Sequence, residues 1–113
     1  MVPPFKVALY KVRAMQYKVQ NDGSTALVVL EGQLDFSAND TFEKLLDGLK
    51  SAPPAKLVFD LSGLSTIDSV GLGLLYIASE DLEGVPVVLR NPQGYVARLL
   101  ELTDAAKMFQ IER

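Results

Sequence analysis

LVFDLSGLSTIDSVGLGLLYI, residues 57–77, is the stretch whose reading decides the fold. Residues 56–60 read as a strand ending on Asp60, residues 61–67 as a loop, and Asp68-Ser69 as the opening of a helix that runs through about residue 80. Gly84 closes that helix, and residues 85–89, rich in Val, read as the next strand. A strand, a helix and a strand in this order form a right-handed crossover with parallel pairing.

The pattern extends outward on both sides. Upstream, residues 15–20 alternate as a strand, Asn21-Asp22-Gly23-Ser24 is a hairpin turn signal, and residues 26–30 form a continuously apolar strand of the kind covered on both faces. Residues 32–35 then leave the sheet. Ser37 with Asp40 resembles a capping box, and Phe42, Leu45, Leu46 and Leu49 mark one face of a helix that Ala52-Pro53-Pro54 ends. Downstream, Asn91-Pro92 reads as a cap followed by Pro at the first helical position. Val96, Leu99 and Leu100 supply the buried stripe of that helix, and residues 104–111 read as a turn and a short last strand. In residues 6–20, Ala8, Tyr10, Val12 and Ala14 share one parity while Met15, Tyr17 and Val19 share the other, which requires a bulge or break near Ala14-Met15. The predicted architecture is a single α/β domain over residues 15–113. It has a small, mostly parallel mixed sheet, an antiparallel N-terminal hairpin, and helices packed against the sheet. Residues 1–14 are an N-terminal extension.

Composition narrows the function. One hundred and thirteen residues suit one domain, and 49% hydrophobic with 22% charged residues is ordinary for a soluble globular protein. The longest nearly apolar run, residues 70–78, falls far short of the roughly 20 residues of a membrane span. No signal-peptide pattern opens the chain, so the expected compartment is the cytoplasm, without membrane insertion. The absence of Cys and His removes disulfides, thiolate catalysis, the commonest metal ligand and the commonest general base. Residues 1–20 carry +4 through Lys6, Lys11, Arg13 and Lys18, and the remainder carries −7. Four bases interleaved with apolar residues read as a strand's solvated face, and an acidic body repels phosphate, so nucleic acid is not an expected partner.

Ser69 stands where a helix begins, with Asp68 before it and Gly71 and Gly73 in the first turns. Ser and Asp are common N-caps, and glycines permit close helix–sheet packing, so this cluster has a purely structural interpretation. Two features go beyond it. An acid and a hydroxyl stand together where one cap suffices, and each glycine costs up to about 1 kcal/mol relative to Ala. A helix start also favours an anion, through its free N–H groups and its dipole. Helical spacing predicts that Leu72 or Gly73 borders a partner surface while Leu74 and Ile77 pack on the sheet.

GQLD at residues 32–35 and DLSGLSTIDSVGLGLL at residues 60–75 resemble the STAS domain, and specifically the bacterial anti-sigma factor antagonists. The resemblance covers about residues 15–113. It implies a partner-switching protein that, unphosphorylated, binds an anti-sigma factor that is also a serine kinase, and so releases a sigma factor and regulates transcription. It implies phosphorylation of Ser69, which ends binding, and a PP2C-type phosphatase that restores it. It places Asp35 and Asp68 beside the switch and the partner-binding surface over Asp35, Asp68, Ser69, Val70, Gly71, Leu72 and Gly73, with no cofactor. Asp35 equally fits a loop acid that supports the next helix. Val70 departs from the small hydroxyl residue often found after the switch serine.

Two other function classes compete. A hydrolase needs a base for Ser69, and no His exists and no Lys is near in sequence; Gly71-x-Gly73 lacks the third glycine of a dinucleotide fingerprint. The chain is therefore not expected to be an enzyme. Within the STAS family the alternative is a structural or scaffold subunit of a lipid-transport or sensory complex, which needs no phosphorylatable serine. Neither reading sets the oligomeric state.

Overall fold

The computed structural model describes residues 15–113. The extension at residues 1–14, and with it the expected break at Ala14, lies outside the described residues. Five strands form one sheet in the order β1-β2-β3-β4-β5, where β1 is Gln16–Asp22, β2 Thr25–Leu34, β3 Lys56–Ile67, β4 Val87–Arg90 and β5 Gln110–Glu112. Strand β1 is antiparallel to β2, with Val19 opposite Val28, and all later pairings are parallel. Helix α1 (Asn39–Ser51) joins β2 to β3, α2 (Ser69–Asp81) joins β3 to β4, and α3 (Gly94–Leu102) joins β4 to β5. This is the mixed α/β domain that the sequence pattern predicts.

Each of the three crossovers steps one strand in the same direction. Right-handed connections therefore place all three helices on one face of the sheet, with their N-termini at the carboxyl end of the parallel strands. The core agrees. Ala26, Val28 and Leu30 of β2, Leu57, Phe59 and Leu61 of β3, and Leu89 of β4 form one buried cluster with Phe42 of α1, Leu75 of α2, and Val96 and Leu100 of α3. Phe42 stacks on Phe59 at a centroid distance of 5.9 Å, which seats α1 over β3.

Several boundaries differ from the sequence reading, each for a local reason. Strand β2 does not leave the sheet at Gly32 but pairs through Leu34, and residues 61–67 are not a loop but the second half of β3. Two register shifts, between Val29 and Glu31 and between Gly32 and Gln33, let the pair continue past a break in alternation. Gly32 takes φ +95 within the second shift. Strand β2 is also fully buried on one face only, since Leu27 and Val29 are half-buried. The turn tightens to Gly23-Ser24. Ser37 does not cap α1; Asp35 caps a short 3-10 turn over Phe36–Ala38, and α1 follows without a side-chain cap. Helix α3 begins after Gln93, with Asn91 in the left-handed region at φ +57.

Helix α2 carries the main correction. Leu74 is buried as expected, but Ile77 is 46% exposed and does not pack on the sheet. Gly71, Leu72, Leu75 and Ala78 fill the inward face, and Ile77 falls on the side toward α1, where it lines a cleft with Phe42 and Leu46. Leu75→Ala is expected to cost about 2–5 kcal/mol. Ile77→Ala should stay within about 0.5 kcal/mol of wild type, as surface substitutions do. Urea melts of both variants check the assignment, and a large loss in Ile77→Ala would contradict it.

Candidate functional site

The site forms where β2 and β3 end side by side. Asp68 takes an extended conformation and accepts a hydrogen bond from the Gly71 N–H at 2.8 Å, so it is the N-cap of α2. Its own N–H donates to the Leu34 carbonyl at 3.4 Å, and its carbonyl accepts from the Leu72 N–H at 2.9 Å. The helix start is thus tied to the end of β2, one peptide bond from Asp35.

Gly71 makes that tie possible. A Cβ built there would lie 1.8 Å from the Leu34 carbonyl oxygen and 2.6 Å from its carbon. A backbone group cannot swing aside as a side chain can, so only glycine brings α2 this close. Gly73 differs. A Cβ there would meet nothing within 4 Å, and the residue is half-exposed. The fold gains nothing from its missing side chain.

Asp35 has a structural task of its own. Its Oδ1 accepts from both the N–H and the hydroxyl of Ser37, the former at 2.9 Å, and so starts the 3-10 turn. That turn leaves Phe36 76% exposed, directly between the two partners of this cap. No periodicity marks Phe36 as a surface residue, because an isolated aromatic in a loop has the same pattern whether it points in or out.

Ser69 is the first residue of α2 and is exposed. The capping role open to a serine here is filled by Asp68, so the Ser69 hydroxyl is surplus to the helix. Val70 beside it is 44% exposed. Of the seven residues singled out from the sequence, Asp68, Ser69 and Val70 are exposed, Asp35 and Gly73 are half-exposed, and Gly71 and Leu72 are buried. The last two support the surface from beneath. The arrangement is an anion-compatible helix start flanked by two carboxylates and two exposed apolar side chains.

A cleft of about 450 Å³ between β1 and α1, lined by Tyr17, Val19, Leu45, Leu49 and Pro53, lies toward the other end of the sheet. It offers Lys44 as its one ionisable group besides Tyr17, and no carboxylate. Among the described residues no helix is long and apolar enough to cross a membrane.

The family model of the STAS domain matches residues 16–113. Among solved structures, an anti-sigma factor antagonist from Mycobacterium paratuberculosis is similar at 27% identity and a TM-score of 0.75, covering 88% of this chain and 86% of that one. A serine-to-glutamate variant of RsbS from Moorella thermoacetica is similar at 25% identity and a TM-score of 0.66, covering 85% of each chain. The phosphorylated form of SpoIIAA, a Bacillus cell fate determinant, shares the fold at 18% identity and a TM-score of 0.66, with coverage of 85% and 90%.

The two glycines generate opposite expectations. Gly71→Ala should destabilise the domain by about 3 kcal/mol or more, since the clash is with backbone. Gly73→Ala should stabilise it by up to about 1 kcal/mol, through helix propensity alone. Thermal and urea melts of the two variants test the distinction, and equal losses would refute it.

Proposed function

The chain belongs to the STAS domain family, and on that premise we propose that it is a phosphorylation-controlled partner switch. Unphosphorylated, it binds an anti-sigma factor that is also a serine kinase and thereby frees a sigma factor. The observation that carries this reading is Ser69: an exposed hydroxyl at the first position of α2 whose capping work is already done by Asp68. The similarity to an anti-sigma factor antagonist at 27% identity supports it.

The residues give the switch a physical basis. The kinase transfers the γ-phosphoryl group of ATP to Ser69 Oγ, the hydroxyl proton is lost, and ADP departs. The phosphate adds about −1.5 to −2 charges. At the first position of the helix it meets unpaired N–H groups and the positive end of the dipole, which favour an anion by about 0.3–1 kcal/mol. The domain therefore keeps its fold. A partner covering Ser69, Val70, Phe36 and Gly73 must instead desolvate the phosphate beside Asp35 and Asp68, with like-charge repulsion added. A PP2C-type phosphatase restores binding by hydrolysing the phosphoserine. Asp35, Asp68, Ser69, Val70 and Gly73 form the proposed contact surface, and Gly71 and Leu72 hold it in place. The reading is of a binding protein, not an enzyme, acting in the cytoplasm.

The test uses purified anti-sigma factor kinases from the source organism. Ser69→Ala is expected to bind one of them like wild type. Ser69→Asp should bind at least tenfold more weakly, the equivalent of about 1.4 kcal/mol, with an unchanged melting temperature. Incubation with that kinase and ATP should add one phosphate, located by fragment mass spectrometry at Ser69 and not at Ser37, Ser62 or Ser65. Wild-type affinity of Ser69→Asp would refute the charge mechanism. Failure of every kinase to bind would favour a scaffold role in a lipid-transport or sensory complex.

A further inference from the structure

Helices α1 and α2 leave a cleft of about 270 Å³ between them, lined by Phe42 and Leu46 of α1 and by Leu74 and Ile77 of α2. Phe42, Leu46 and Leu74 are buried and form its floor, while Ile77 stands half out of it. The volume lies below the roughly 300 Å³ at which small-molecule sites begin, and suits one or two protein side chains. An isoleucine in this position gives the fold little, because the sheet-facing side of α2 is filled without it.

The rim is acidic. Glu43, Asp47 and Asp81 border the cleft against one base, Lys50. The Lys50 ammonium is already 3.9 Å from Asp47 and 3.5 Å from Asp81, and Glu43 has no ion pair among the described residues. The slot thus pairs an apolar floor with a net negative edge. It is also continuous with the switch: Ser69, Gly73 and Ile77 follow one i, i+4 ridge of α2, about 12 Å long at 1.5 Å per residue. The open position at Gly73 is a notch in that ridge where a partner's backbone approaches.

We infer that this cleft is a second anchoring point for the anti-sigma kinase, filled by an aliphatic or aromatic side chain flanked by Lys or Arg; the inference rests on the partner-switching reading of Ser69. The body of a second copy, residues 21–113, is a poor occupant, because it carries −7 and would bring like charge to the rim. A basic, apolar segment crossing at Gly73 places one end over Ser69 and the other in the cleft. Phosphate then acts on a segment that the cleft already orients.

The experiment measures affinity by calorimetry for the full chain and the purified kinase, in wild type, Ile77→Ala, Glu43→Gln and Ser69→Asp, with melts of each. Ile77→Ala is expected to weaken binding about tenfold or more without lowering the melting temperature. Glu43→Gln should weaken it several-fold and flatten its dependence on salt. Wild-type affinity in both, beside a Ser69→Asp variant that no longer binds, would overturn the cleft and leave the switch standing. Loss of binding in Ile77→Ala, beside a Ser69→Asp variant that still binds, would support the cleft and overturn the switch.

Discussion

The contact of a bare Cα with a carbonyl, Gly71 against Leu34, is the constraint on which the site depends. It brings the first turn of α2 onto the end of β2 at a separation that no side chain tolerates. The rest follows from connectivity. Leu34 precedes Asp35, and Asp68 lies three residues before Gly71, so one contact draws two carboxylates from distant parts of the chain to one place. The cap bond from Gly71 N–H to Asp68 and the bond from Asp68 N–H to Leu34 then hold the helix start against the strand end. Strands β2 and β3 run past β4 to reach that point, at the expense of two register shifts.

The helix glycines, two residues apart, have unlike purposes, and the difference separates fold from function. Gly71 is needed by the fold, and its helix-propensity cost is offset by the packing it permits. Gly73 brings the same cost and no contact. A residue that lowers stability without local compensation is the kind of feature expected at a binding surface. It lies one helical turn from Ser69 on the exposed side of α2. The exposed Val70 and Ile77 flank it, and neither is required by the core.

Periodicity made the fold legible, and it failed where periodicity breaks. The stripe of Phe42, Leu45, Leu46 and Leu49 and the Pro53-Pro54 stop identify α1 without ambiguity, since all four are buried and the helix ends at Ser51. Asp68 as the start of α2 is equally clear, because an acid between apolar runs has few other places to go. Strand β3 beyond Asp60 was not legible: Leu61-Ser62-Gly63-Leu64 has the composition of a turn, and a bulge breaks the alternation that would reveal a strand. Ile77 shows a second limit. Helix α2 is apolar nearly all round, so its pattern cannot say which side faces the sheet, and only the neighbouring helix decides it. The cluster from Asp68 to Gly73 was visible as a motif, but the distinct roles of Gly71 and Gly73 depend on a tertiary neighbour, Leu34, far away in sequence.

The same geometry argues that the proposed switch would work by charge and not by a change of shape. Among the described residues no polar or charged side chain is buried, and the cluster beneath α2 is wholly apolar. Such a core has no hydrogen-bond network that a new charge at Ser69 could rearrange. Close-packed apolar interiors resist small displacements, and sub-ångström strain reaches distant elements only where two packings compete. Ser69 is also separated from that core by the cap: Asp68 takes up the Gly71 N–H, and Gly71 is pinned to Leu34, so the first turn has no room to tilt. A phosphate on Ser69, as proposed, would therefore leave the domain as it is and alter what it presents. On that proposal the message would be written on the surface, and a partner covering α2 would be the element able to read it.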